Sequence, residues 1–228
     1  MTTLKLKYAE LLREELAQFS KTYGLPQSKC GAIFDKIVAH YSEEHRAYHG
    51  LKHPVLLFET ARDIRRYRPR LFLNSNFNAA LDISIFAHDI IYDPRANKGD
   101  NERMSANIAF DFGVRLGFPR EVSEITHRLT LATTHDFVPK KIEEQIMVDI
   151  DLSLLAIPWS DFVKNSEEIR QEYKHVPTEA FNIGRKAFLN GMLPPNRPHI
   201  YSTEYFYNKL EVQAQRNIKR ALTYRFAD

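Results

Sequence analysis

The sequence predicts an all-α fold. Apolar residues recur at three- and four-residue spacing almost from end to end, the breaks fall at Pro, Gly and Asn clusters, and only one segment alternates as a strand would. With 228 residues, 43% of them hydrophobic, the chain is long enough to bury a real core. No repeat, low-complexity stretch or linker divides it, so one domain over residues 1–228 is expected, with a core at about 40–155 and C-terminal helices at 158–226 packed on it.

Residues 4–20 open the chain as a helix, with Leu4, Leu6, Tyr8, Leu11, Leu12, Leu16 and Phe19 at helical spacing. The turn YGLPQS ends it, and Cys30–Tyr41 repeats the period. Leu51–Tyr67 is a third helix, stopped by Pro69. Asn76–Tyr92 is a fourth, with Asn74, Ser75 and Asn76 as caps. Its run AALDISIFAHDIIY is apolar nearly all round, which marks a central, buried helix. The polar loop DPRANKGD follows. Asn101–Leu116 and Arg120–Thr134 come next, separated by GFP. Residues 143–156 contain VDIDLSL, which alternates like a strand, but helical neighbours favour helix. Pro158–His175, Pro177–Leu193 and Thr203–Tyr224 complete the set. The aromatic cluster YSTEYFY at 201–207 is expected to pack in a core.

Composition excludes several functions. The net charge is +3, with Lys and Arg scattered among nearly as many acids, which fits a phosphate-bearing ligand and not nucleic acid. Cys30 is the one cysteine, so no intrachain disulfide can form, and nothing beside it would activate a thiol. No apolar run approaches the ~18 residues of a membrane span. The N-terminus, MTTLKLKYAELLREELAQF, is no signal peptide, so cytoplasm is the expected compartment.

The chemistry begins at YHGLKH. His49 and His53 stand four apart, and on one helix they would share a face. His88-Asp89 ends the apolar run. A carboxylate is costly to bury unless paired or coordinated to a metal, and adjacent nitrogen and oxygen donors suit divalent transition metals. The other reading of His88-Asp89 is a core imidazole and a carboxylate engaged by a backbone amide. Asp149 and Asp151 interrupt a second apolar run. On a helix they point roughly 200° apart, so only one can face a shared site.

Tyr48-His49-x-x-x-His53, then His88-Asp89, then Asp151-Leu152-Ser153 resembles the HD superfamily of metal-dependent phosphohydrolases, whose core is similar to those of cyclic nucleotide phosphodiesterases and guanosine tetraphosphate hydrolases. Further segments, YSEEHRAYHGLKH, FAHDIIYDP, DNERMSA, IRQEY, GRKAFL and HIYSTEYF, resemble HD-superfamily phosphohydrolases of unassigned substrate, over roughly residues 40–220. The resemblance implies an HD-domain-like helical bundle. It assigns metal binding to His53, His88, Asp89 and Asp151, choosing Asp151 over Asp149, and gives His49 the role of proton donor to the leaving oxygen. HDIIYD is similar to the HDxxED of the tetraphosphate hydrolases, with Asp93 at the second acidic position and Tyr92 in place of the first.

Such a site would hydrolyse a phosphate ester or anhydride with metal-activated water. Asp93 or Glu102 could orient or deprotonate that water; Glu102 also suits a helix N-terminus on electrostatic grounds alone. Arg46, Arg170, Arg185 and Arg197 are candidate phosphate forks, and Tyr173 and His135 join them as substrate-binding candidates. His127 and His135 leave room for a second metal. The cofactor is one divalent ion drawn from Mn, Fe, Co, Ni, Zn or Mg. The expected ligand is a small phosphorylated molecule, a nucleotide among the candidates, and a homo-oligomer is compatible with the sequence. Two other functions fit the residues: a non-catalytic metal and nucleotide sensor, and a di-iron oxygenase on the same fold.

Overall fold

In a computed structural model, which describes residues 3–226, the chain is all-α, with ten α-helices, two short 3₁₀ turns and no strand among the described residues. No helix among them is long and apolar enough to cross a membrane. Two compact units can be described, Met1–Phe137 and Val138–Asp228.

The first unit holds α1 (Thr3–Tyr23), α2 (Gln27–Tyr41), α3 (Lys52–Tyr67), a 3₁₀ turn (Pro69–Phe72), α4 (Ser75–Ala87), α5 (Asp100–Leu116) and α6 (Arg120–Ala132). α4 is its hub, packing against α3, α5 and α6. Every residue from Ala79 to Ala87 is buried, which is what an apolar run without a polar face demands. Asp82, the one charge in that run, pairs with Arg65 at 2.6 Å. Asn74 caps α4 as expected, its side chain accepting from the N–H groups of Asn76 and Phe77. α5 and α6 approach so closely that a Cβ on Gly113 would sit 2.4 Å from Ser123 Oγ, so glycine is required there by space.

α4 ends at Ala87, five residues short of the expected Tyr92. His88 N–H still donates to Ser84, but the backbone from Asp89 to Ile91 finds tertiary partners. Arg46 donates to the carbonyls of Asp89 and Ile90, and Ser105 Oγ accepts from Ile91 N–H. A helix continues only while its own ladder is the better partner for each carbonyl. α6 likewise ends at Ala132, and His135 lies beyond it in a left-handed turn (φ 57°).

The second unit holds α7 (Ile142–Leu152), a 3₁₀ turn (Ser153–Ala156), α8 (Trp159–Glu172), α9 (Thr178–Gly191) and α10 (Glu204–Thr223). The alternating VDIDLSL is thus helix. Four of its seven residues, Val148, Asp149, Ile150 and Leu152, are buried within α7. α10 packs on α9 and on the second 3₁₀ turn. Tyr201, Tyr205 and Phe206 are buried as expected of a core cluster, while Tyr207 is exposed.

α10 takes its N-terminal cap from outside itself. The Asp149 carboxylate accepts from Ser202 N–H (2.9 Å) and Thr203 N–H (2.7 Å). Burial pushes this carboxyl up to about 6, against the pull of those two N–H groups, the Thr203 hydroxyl and Arg197. The folded pKa lies above the ~3.9 of an unfolded Asp, so the folded chain binds the extra proton between about pH 4 and 6. Stability from this group therefore falls as pH rises through that window. The wild type should lose about 2 kcal/mol of unfolding free energy between pH 4.5 and 7 that Asp149→Asn does not lose. Urea titrations of both proteins at the two pH values check this; parallel curves would refute it.

Candidate metal centre

Three elements of the first unit bring the donors together. The chain from Ser42 to Leu51 is an irregular, turn-rich segment that delivers His49. His53 is the second residue of α3, and His88-Asp89 forms the turn off the end of α4. His49 and His53 do not share a helix face, contrary to the expectation. The ring of His49 reaches the site from the turn before α3, 6.0 Å from the ring of His53.

His53, His88 and Asp89 form the group whose ligand atoms converge. Nε2 of His53 lies 3.2 Å from Nε2 of His88. Asp89 Oδ2 lies 3.1 Å from His88 Nε2 and 3.5 Å from His53 Nε2. Both imidazoles are buried, at 3% and 1% exposure. His88 Nδ1 donates to the carbonyl of Ile85, which leaves its Nε2 lone pair for the site.

The donor chemistry fits a cation. Two imidazole nitrogens 3.2 Å apart can share only one proton, and the carboxylate is a third acceptor aimed at the same point. Ligand atoms about 2.1 Å from a common ion lie about 3.0 Å apart when cis on an octahedron and about 3.4 Å apart on a tetrahedron. The three observed separations fall at or near that range. Burial pushes the Asp89 carboxyl up, but the charge and hydrogen bond of His88, helped by His49 and His53, carry it below the usual carboxylate range.

Aromatic rings fix His49. It stacks on Tyr92 (centroids 4.1 Å) and meets the edge of Tyr48 (4.8 Å). Tyr92 thus has a packing role against His49. Its carbonyl is bound by His45 Nε2 at 2.7 Å.

The expected helpers are distributed as follows. Asp93 is exposed, and one carboxylate oxygen closes a local turn by accepting from Arg95 N–H at 2.9 Å. Glu102 is half-buried in the first turn of α5. Asn101 ties that turn to Asp93, accepting from its N–H and donating to its carbonyl. Arg46, expected on substrate, is buried and donates to backbone carbonyls and to Glu43. His127 faces Asn107 Oδ1 at 3.3 Å, and His135 is off the helix that was to align the two.

The remaining candidates belong to the second unit. Asp151 is half-buried near the end of α7, two residues after Asp149. Arg170 is buried and joins the end of α8 to α9 through the carbonyls of Tyr173 (2.7 Å) and Val176 (3.1 Å). Tyr173 stacks against His175. Arg185 reaches Ser166 Oγ at 3.4 Å. Arg197 is buried with a nitrogen 3.3 Å from Met192 Sδ; burial depresses its pKa, and the charge of Asp149 opposes that. Arg170 and Arg197 are thus both buried, with donors directed at groups of their own unit.

Sequence reasoning missed Tyr41, whose hydroxyl accepts from Asp89 N–H at 3.3 Å, and Ser105. Neither stands in a motif, and no local signal marks them. Compared with protein-family models, curated proteins and solved structures, the chain matches none.

Proposed function

We propose that this chain is an HD-type metal-dependent phosphohydrolase acting on a small phosphorylated molecule, with nucleotides the first class to try. The observation that carries it is the buried convergence of His53 Nε2, His88 Nε2 and Asp89 Oδ2, with separations of 3.1–3.5 Å. Three acceptors so placed suit a divalent cation better than a proton. His53, His88 and Asp89 would hold the ion. A divalent ion there would lower the pKa of water toward ~7 and polarise a phosphoryl oxygen.

The chain's own groups have separate roles. Asp89 keeps its negative charge between the imidazoles. His88 is held by Ile85 in the tautomer that presents Nε2. His49, clamped between Tyr48 and Tyr92, would deliver a proton to the leaving oxygen. A sensor has no use for an acid held in this way, which favours turnover over binding alone. Glu102 is the better-supported acceptor of the water proton, because Asp93 is exposed and engaged in its own turn.

The test is a panel of nucleotides and sugar phosphates. It is run on chelator-stripped protein and again after titration with Mn, Co, Ni, Zn or Mg. Phosphate release should require the metal and saturate near one ion per chain. Full activity in the stripped protein would refute the proposal. Tight nucleotide binding without product over hours would replace it with the sensor.

A further inference from the structure

Arg46 lies between the two donor-bearing turns. Its side chain is completely buried, a placement a guanidinium tolerates only when its donors are matched. Nη1 donates to the carbonyls of His49 (3.1 Å) and Asp89 (2.6 Å), Nη2 to that of Ile90 (2.9 Å), and Nε to Glu43 Oε2 (2.9 Å). The cation also lies 5.2 Å from the ring of Tyr41 and 5.6 Å from that of Tyr92.

The acceptors come from two places in the chain. The His49 carbonyl belongs to the turn that leads into His53. The other two belong to the turn that carries His88-Asp89, more than 40 residues away. Asp89 is held at both ends of its backbone, by Arg46 at the carbonyl and by the Tyr41 hydroxyl at the N–H. Tyr92, which stacks on His49, lies against the same guanidinium.

We infer that Arg46 is the positioning residue of the metal centre, a cross-brace that sets His53, His88 and Asp89 in register and seats His49 beside them. It holds the backbone of His49, Asp89 and Ile90. Metal sites tolerate donor displacements of only about 0.5 Å, so loosening the brace should weaken the ion without removing a ligand. Lysine cannot replace it, because one ammonium on a flexible stem cannot serve three carbonyls and a carboxylate in the plane of a fork. This inference rests on the proposed metal binding but not on the proposed turnover.

The test compares wild type with Arg46→Lys and Arg46→Ala by calorimetric titration with Co(II), under conditions where circular dichroism shows each protein folded. Both variants should bind one ion with a Kd raised about 10–100-fold, the range that partners behind the ligands typically carry. Their visible Co(II) spectra should differ from wild type, and millimolar guanidinium should restore Arg46→Ala in part. Folded variants with wild-type Kd and spectrum would overturn the inference and leave the hydrolase proposal standing. Wild type that binds no Co(II) overturns both. Variants that do not fold at all would make Arg46 a core residue only, which also overturns it.

Discussion

Asp89→Ala protein is expected to purify folded, to carry no stoichiometric divalent metal and to release no phosphate above blank. The substitution removes the only carboxylate of the converging group, the oxygen within 3.1 Å of one imidazole and 3.5 Å of the other. Two neutral imidazoles remain, a pair without the negative charge that offsets a divalent ion. Losing an outer partner of a metal ligand costs about 10–100-fold in affinity, and losing the ligand should cost more. The fold should persist, because the backbone at Asp89 is held by Arg46 and Tyr41. Elemental analysis after dialysis, phosphate release and a melting curve are the three measurements. A folded variant that keeps its metal and its turnover would remove the site from Asp89 altogether.

His49→Gln should separate binding from chemistry. His49 stands beside the converging group, with its ring 6.0 Å from that of His53 and stacked on Tyr92. As general acid it should contribute about 10²–10⁴-fold to turnover. The variant should therefore bind Co(II) within about threefold of wild type while kcat falls by two to four decades. The pH profile sharpens the test. An acid works only while protonated, so the basic limb of the wild-type kcat profile should be missing from the variant. A leaving group that needs no protonation, such as p-nitrophenolate, should narrow the gap between the two proteins. An equal loss with every leaving group would make His49 a binding residue instead.

The helices were legible in the sequence because their cause is local. A 3.6-residue apolar period depends on neighbours within a turn or two, and it located every helix but α7, whose alternating residues left the assignment to its helical neighbours. The converging donors were legible for a different reason. His88-Asp89 stands where an apolar run should continue, and polar residues placed against their surroundings signal a compensating partner. The end of α4 was not legible. Its carbonyls are taken by Arg46, and nothing near Ile90 in the chain announces that arginine.

The two aspartates of α7 make the same point. They have the same side chain and stand two residues apart in one apolar run. Asp149 accepts from the backbone of Ser202 and Thr203, more than 50 residues later, and so caps α10. Only the folded chain brings those N–H groups to it. Arg46, Arg170 and Arg197 were open to substrate on sequence grounds and proved to be buried, in contact with their own units. A guanidinium binds whatever acceptors reach it, and sequence spacing does not say whether these are phosphate oxygens or carbonyls.

By itself, then, the order of residues determined the helical class and the helices, and it marked His88-Asp89 as out of place, because those follow from short-range patterning and from the cost of polarity in apolar surroundings. Tertiary structure alone decided where helices stop, which carboxylate caps and which arginine braces, because each depends on a hydrogen-bond partner supplied by a distant part of the chain.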